Sequence, residues 1–167
     1  ILQLLRQVAE GSVPPEEALL QLKQEPFQDL GYAKVDHHRG VRQGAAEVIY
    51  GAGKAPEQIA GIAAAMGERG CRNILITRIS QEAAEEAART VPLDYHPLPR
   101  LAIAFPGERN ALGHIVVATG GTSDMPVAEE AALTAEVFGN KVTRLYDVGV
   151  AGLHRLLSNL GVLMSAR

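Results

Sequence analysis

The sequence is poor in the residues that several large classes of protein require. It has one cysteine in 167 residues, which excludes an internal disulfide and any metal site built from several cysteines. It has no tryptophan and only 4% aromatic residues, which disfavours a surface on which nucleic-acid bases stack. The net charge of -3 provides no field that would attract nucleic acid or an anionic membrane.

Long apolar runs are also missing. No run reaches the ~18 residues that a membrane span needs, and no basic-then-apolar signal peptide opens the chain. We therefore predict a cytoplasmic protein with neither a nucleic-acid nor a membrane partner. The chain begins with Ile1 and ends at Arg167 in a helical pattern, where a strand would be expected next. We therefore expect that both ends are cut and that a segment after Arg167 is missing.

What the sequence does contain is an alternation of strand and helix patterns. Residues 1–108 show a helical hairpin and then a small α/β region, and the turn-rich PGERNALG follows. The apolar strand HIVVATG, a helix from about Asp124 to Phe138, the strand KVTRLYDVGV and a further helix come next. This order predicts an α/β fold in which residues 112–167 begin a three-layer domain with a parallel sheet, incomplete at its carboxyl end. HIVVATG is apolar enough to be a fully buried strand of that sheet.

A glycine turn joins this strand to the helix. Gly120 and Gly121 let the backbone bend and approach a ligand closely, while Thr122 and Ser123 bring hydroxyl groups. The helix start adds free backbone N–H groups, so the turn predicts a seat for a phosphate or carboxylate. Asp124 fits two roles, as the N-cap of the helix or as a site residue. A glycine turn before a capped helix, with no ligand, is the structural alternative.

A second loop follows the next strand and lies at the same predicted edge of the sheet. It contains Tyr146, Asp147, Gly149, His154 and Arg155. Ligands of open α/β sheets bind outside the carboxyl ends of the strands. His154 could exchange a proton near neutral pH, and Arg155 could clamp a phosphate or a carboxylate. The alternative places both residues on a solvated helix start.

A basic segment near the amino terminus is a third candidate. KVDHHRGVRQGAAEVIYGAGK contains Lys34, Asp36, Arg39 and Arg42, with no acidic patch nearby that would cancel the positive charge. Its two adjacent histidines do not share a strand face, so we predict no metal site there. We expect this segment to cover the active site, against the alternative of a solvated basic loop.

These motifs together resemble one family. TGGTSDMPVAEEAALTAEVFGN and VTRLYDVGVAGLHRLL look like the LarB family of nickel-pincer cofactor biosynthesis, and so does the upstream DLGYAKVDHHRGVRQGAAEVIYGAGK. That family is related to the PurE-type phosphoribosylaminoimidazole carboxylases and mutases. PurE-type proteins have a Gly-Ser-Asp phosphate loop and a His-Arg pair, which are similar to residues 120–124 and to His154-Arg155.

The resemblance implies a PurE-like, flavodoxin-like catalytic domain and a specific reaction. LarB proteins carboxylate the pyridinium ring of nicotinic acid adenine dinucleotide with CO2 or bicarbonate and hydrolyse its phosphoanhydride. The products are pyridinium-3,5-biscarboxylic acid mononucleotide and AMP. Asp124 and His154 would be catalytic and the other residues named above would bind substrate. No covalent cofactor is implied, the need for Mg2+ is left open, and a homo-oligomer, an octamer as in PurE relatives, is expected.

The chain departs from the family at the nucleophile. LarB proteins use a cysteine that adds to the ring, and Cys71 does not match it; we interpret Cys71 as a buried residue. Two other functions therefore stay open. One is an aminoimidazole ribonucleotide carboxylase or mutase of purine synthesis, and the other is a nucleotide-binding module without catalysis.

Overall fold

The fold is that of a computed structural model, which describes residues 2–24, 27–36, 47–109, 111 and 113–166. The chain divides into two compact units, Ile1–Glu47 and Val48–Arg167. No helix within the described ranges is both long enough and apolar enough to cross a membrane. The predicted domain limits, residues 1–108 and 112–167, stay a prediction about the whole protein.

The first unit consists of a helical hairpin and a strand hairpin. Gly11 ends the first helix with a φ of 74°, and the two helices contact each other, as the sequence predicts. The two short strands pair antiparallel, with Phe27 opposite Asp36. The elements are α1 (Leu2–Ala9), α2 (Pro15–Gln24), β1 (Phe27–Asp29) and β2 (Lys34–Asp36).

The second unit opens with a four-stranded mixed sheet in the order β3-β4-β6-β5. Only the β3–β4 pair is parallel, and the β4–β6 and β5–β6 pairs are antiparallel. Two helices pack against each other beside it. The elements are β3 (Ile49–Tyr50), α3 (Pro56–Glu68), β4 (Ile74–Thr77), α4 (Gln81–Ala87), β5 (Leu93–His96) and β6 (Leu101–Ala104).

A parallel strand pair completes this unit. β7 (Gly113–Ala118) and β8 (Asn140–Leu145) run parallel, with Ala118 opposite Leu145. Helix α5 (Met125–Val137) connects them and contacts both strands. The predicted strand–helix–strand order and the parallel direction are confirmed. The chain is thus a mixed α/β protein, while the three-layer flavodoxin-like arrangement stays a prediction.

Full burial of β7 is the part of this prediction that is wrong. Residues 113–117 are half-buried and Ala118 is exposed. A fully buried parallel strand needs neighbours on both edges and cover on both faces. β8 is its one partner strand among the described residues, so that condition is not met in this chain.

Helix α5 also contributes to the core of the four-stranded sheet. Leu133 of α5 packs in a buried cluster with Leu75 of β4 and with Leu101 and Ile103 of β6. Helix α5 therefore contacts both the four-stranded sheet and the parallel pair. These contacts on both sides fix the position of the first turn of α5.

The last predicted helix is divided in two, α6 (Leu153–Leu157) and α7 (Leu160–Met164). The break lies at Ser158 and Asn159, whose side chains both donate hydrogen bonds to the carbonyl oxygen of Arg155, at 3.0 and 2.8 Å. Such side chains compete with the helix backbone for its acceptors, which explains the interruption.

Candidate functional site

Thr119 joins the two loops at the carboxyl edge of the parallel pair. It is 6% exposed. Its backbone N–H donates to the carbonyl oxygen of Leu145 at 3.1 Å, and its own carbonyl oxygen accepts from the N–H of Val148 at 2.9 Å. Its hydroxyl oxygen accepts from the N–H of Asp147 at 3.2 Å. Thr119 was not among the predicted site residues, although a hydroxyl at the end of an apolar strand is a signal that the sequence contains.

The two loops also touch directly. A β-carbon added at Gly149 would overlap the carbonyl oxygen of Gly120. Gly149 has a φ of -61°, which any residue adopts, so a glycine is required here for close approach of two backbones. The two loops are therefore neighbours, as predicted, and they touch at Gly120 and Gly149.

The glycine turn itself has a different geometry from the one expected. Gly121 is extended, with φ -149° and ψ 174°, so its backbone needs no glycine. A β-carbon there would approach only the Ser123 hydroxyl oxygen, at 4.0 Å. A side chain at Gly121 would occupy open space, which suits a place kept free for a ligand.

Asp124 closes a short 3-10 turn, Thr122–Asp124, that precedes α5. Its Oδ2 accepts a hydrogen bond from the N–H of Gly121 at 2.9 Å, and its own N–H donates to the Gly121 carbonyl oxygen at 3.2 Å. Asp124 stands at the N-cap position of α5, but its side chain makes no capping bond to that helix. The expected N-cap is therefore wrong in its bonding, because the carboxylate turns back to Gly121.

The same hydrogen bonds reduce the predicted anion seat. The N–H of Asp124 is already used, so a ligand cannot have all three donors that the turn offers in sequence. The N–H groups of Thr122 and Ser123 have no hydrogen-bond acceptor within the described ranges. A seat of two backbone donors beside the Ser123 hydroxyl remains, at the positive end of the α5 dipole.

The second loop holds an ion pair. The guanidinium of Arg155 donates to Oδ2 of Asp147, and Asp147 has a φ of 58°. Gly152 leaves room for this arrangement, because a β-carbon there would lie 2.7 Å from Nε of Arg155. His154 is exposed at the start of α6. Arg155 thus has a carboxylate partner at the site, and His154 is open to solvent.

Tyr146 is directed to α5 through a half-buried polar network. Its hydroxyl donates to Glu129 at 2.6 Å, and Arg144 donates to Glu129 at 3.1 Å and to Glu136 at 2.6 Å. Burial and the bond to Glu129 raise the pKa of Tyr146 to about 12. Burial alone would raise the pKa of Glu129, but hydrogen bonds from Tyr146 and Arg144 outweigh it and lower that pKa. The network, which the sequence analysis missed, fixes α5 on β8.

A cleft of about 460 Å3 opens beside the glycine turn. Of the predicted residues, Gly120, Ser123 and Asp124 line it, whereas those of the second loop do not. Its remaining walls come from the end of β7 and from the first turns of α5. The lining residues are Val117, Ala118, Thr119, Gly120, Ser123, Asp124, Val127, Ala128 and Ala131. An apolar wall with a few polar groups at one end is typical of a small-molecule site.

The basic segment is described only in part. Lys34 forms an ion pair with an acidic residue, since its Nζ lies 4.0 Å from Oδ2 of Asp29. The backbone N–H of Asp36 donates to Glu47 at 2.9 Å. The expectation of a basic segment without nearby acids is therefore wrong at these positions. Arg39 and Arg42 lie outside the described residues.

Cys71 lacks the environment of a reactive thiol. Cys71 is half-buried, and burial raises the pKa of its thiol against the opposite effect of Arg72. A raised thiol pKa disfavours the thiolate that a nucleophile needs. No group of three His, Cys, Asp or Glu side chains that could hold a metal ion occurs among the described residues.

Comparison with known proteins shows which proteins this chain is similar to. The LarB/PurE-like N-terminal domain family matches residues 27–105. An uncharacterized protein of Methanocaldococcus jannaschii is 30% identical, over 94% of this chain and 64% of its own length. The chain therefore spans less than two thirds of that relative. Residues 27–105 therefore resemble the N-terminal domain of LarB/PurE-like proteins, which confirms the resemblance found in the sequence.

Proposed function

We propose that this chain is part of an enzyme that carboxylates the pyridinium ring of nicotinic acid adenine dinucleotide and hydrolyses its phosphoanhydride. The products would be pyridinium-3,5-biscarboxylic acid mononucleotide and AMP. The observation that carries the proposal is the cleft beside the glycine turn, which Ser123 and the Asp124 carboxylate line at the start of α5. The match of residues 27–105 to the LarB/PurE-like N-terminal domain supports the same class of reaction.

The charges of this cleft suit a cationic ring attached to a phosphate. The N–H groups of Thr122 and Ser123 would bind a phosphate oxygen, and the dipole of α5 favours that negative charge. The carboxylate of Asp124 lines the same cleft and would pair with the pyridinium ring or a ribose hydroxyl. The negative phosphate would thus bind the backbone N–H groups, and the positive ring would bind the carboxylate of Asp124.

Carboxylation exchanges one proton of the ring for a carboxylate, so a base must accept that proton. His154 is exposed at the start of α6, and its imidazole would accept that proton. The Asp147–Arg155 ion pair stands in the same loop, where Arg155 would bind the carboxylate of the pyridinium ring. We assign no nucleophile within this chain, because Cys71 is half-buried with a raised pKa.

The test is incubation of the full-length protein with nicotinic acid adenine dinucleotide and 14C-bicarbonate, followed by chromatography of the nucleotides. We expect label in a mononucleotide and one AMP for each labelled product. Gly121→Val should abolish nucleotide binding and leave the fold intact, because its β-branched side chain would enter the open space at the turn.

Two results would overturn the proposal. One is the absence of label together with carboxylation or mutase activity on aminoimidazole ribonucleotide, which would assign the protein to purine synthesis. The other is nucleotide binding by calorimetry without conversion of either substrate, which would indicate a binding module.

A further inference from the structure

A second, smaller cleft adjoins the first across Val127. Its volume is about 150 Å3, and Val127 lines both clefts. Two arginines, Arg78 and Arg100, stand at its rim, and both are exposed. The lining residues are Arg78, Leu98, Pro99, Arg100, Pro126, Val127 and Glu130. Neither arginine belongs to a motif that the sequence analysis selected.

The two arginines are fixed on one piece of backbone. Arg78 follows β4 directly and Arg100 precedes β6, and the N–H of Ile79 donates to the carbonyl oxygen of Arg100 at 3.0 Å. Both arginines are in the left-handed region, with φ of 56° and 52°. This conformation is uncommon for a residue with a side chain and is held by the surrounding structure. The backbone therefore holds both arginines at the rim of one cleft.

The charge of this cleft is not balanced. Glu130 lies 3.6 Å from Nε of Arg78, whereas Arg100 has no ion pair or side-chain hydrogen bond within the described part of the chain. Glu82 lies on α4, near enough to feel the charge of Arg100, but it does not line the cleft. Two cations against one carboxylate leave a positive charge there. Guanidinium groups bind phosphate oxygens in pairs of hydrogen bonds.

The size and the walls of the cleft limit the kind of ligand that it can bind. About 150 Å3 accommodates a phosphate group but is small for a complete nucleotide. Leu98 and Val127 are exposed at 48% and 69%, and both line the cleft, so a ribose or base could lie over them. The adjoining cleft at the glycine turn would hold the other half of a dinucleotide.

We infer that Arg78 and Arg100 form the subsite for the adenylate half of the dinucleotide, with its phosphate between the two guanidinium groups. The inference rests on the proposed function, because that function supplies a ligand with two nucleotide halves. It adds that the AMP released by hydrolysis leaves from the Arg78/Arg100 cleft.

Binding of AMP alone, measured by calorimetry on the full-length protein, tests this subsite. Arg100→Gln should weaken AMP binding on the order of tenfold, which corresponds to one lost charged hydrogen bond. Arg100→Gly removes the same cation and suits a φ of 52°, so it should show the same loss without added backbone strain. Thermal melts of both variants check the fold.

A variant with the opposite sign makes the test sharper. Glu130→Gln removes the one carboxylate in the cleft and should tighten AMP binding several-fold, because Arg78 is then free to bind phosphate. A purely structural Arg78–Glu130 pair would give no such gain. Ser123→Ala, in the adjoining cleft, should weaken the binding of the dinucleotide and leave AMP binding unchanged.

The results separate the two proposals. If AMP does not bind, or binds equally well to wild type and both Arg100 variants, the subsite is wrong whatever the enzyme does to the dinucleotide. If AMP binding depends on Arg100 but no label enters any mononucleotide, the subsite stands and the proposed carboxylation is wrong.

Discussion

Gly149 lies so close to Gly120 that a β-carbon on Gly149 would overlap the carbonyl oxygen of Gly120. The φ of Gly149 is -61°, so alanine could adopt the conformation but could not occupy the space. The loops after β7 and β8 are therefore in backbone contact, and their relative position depends on the absence of one methyl group.

Gly149→Ala should separate these loops. We expect a loss of about 1–3 kcal/mol in the free energy of unfolding, the usual cost of overpacking, together with loss of nucleotide binding. Gly121→Ala is the matched control for stability alone, because its β-carbon would meet only Ser123 Oγ at 4.0 Å. Urea denaturation measures both variants, and equal midpoints for them would contradict the close contact.

Asp124→Asn separates the two roles of this side chain. The amide oxygen of asparagine can accept the bond from the Gly121 N–H that Asp124 now accepts at 2.9 Å, so we expect a melting temperature close to wild type. Asp124→Ala loses that acceptor and should cost about 0.5–2 kcal/mol, as for a lost helix cap.

Turnover of the same variant reports on the charge. If the carboxylate pairs with the pyridinium ring, Asp124→Asn should reduce turnover more than tenfold, or about 1.4 kcal/mol of barrier. Wild-type turnover in a variant with wild-type melting would leave Asp124 with only its bond to Gly121.

The Asp147–Arg155 ion pair should matter more for binding than for stability. Its side chains are 52% and 38% exposed, and exposed pairs contribute about 0–1 kcal/mol. Arg155→Gln should therefore melt near wild type but bind the dinucleotide on the order of tenfold more weakly. Asp147→Asn is the control that removes the ion pair but keeps Arg155, because asparagine tolerates the φ of 58°. Unchanged affinity in Arg155→Gln would place Arg155 outside the site.

Tyr146→Phe should reveal a pH-dependent contribution to stability. The folded protein raises the pKa of Tyr146 from 10.0 to about 12, so the protonated phenol is favoured by folding. The stabilisation is complete below pH 10 and is lost as the pH rises towards 12. We expect Tyr146→Phe to lose about 1 kcal/mol at pH 8 through its bond to Glu129. In urea denaturation, the difference from wild type should shrink between pH 10 and 12, and a constant difference would contradict this assignment.

The backbone order of the second unit was predictable, because local patterns determine it. Val116 and Val117 lie in a run apolar enough for a strand, and the alternation with the alanine-rich segment predicts the parallel pair that β7 and β8 form. The helix predicted from about Asp124 to Phe138 is observed at Met125–Val137. The partial exposure of β7 was not predictable, because burial depends on neighbours that the pattern of one strand does not reveal.

The details of the site depend on contacts between residues far apart in the sequence. The bonds of Thr119 to the second loop, and that of Tyr146 to Glu129, join positions 28 and 17 residues apart. A sequence pattern also does not predict an arginine with positive φ, as observed at Arg78 and Arg100. The roles of Asp124 and the second-loop residues in catalysis and binding, the oligomer and the domain limits stay predictions.

Helix α5 begins beside the glycine turn, and further along it places Leu133 in the core with Leu75 and Ile103. One rigid rod therefore belongs both to the ligand cleft and to the four-stranded sheet. A molecule that binds only the folded turn must also hold that sheet against unfolding, by about 2.7 kcal/mol when its concentration is a hundred times Kd. The melting temperature of the whole second unit thus serves as a gauge of occupancy at the helix mouth, so candidate nucleotides can be ranked before any turnover is measured.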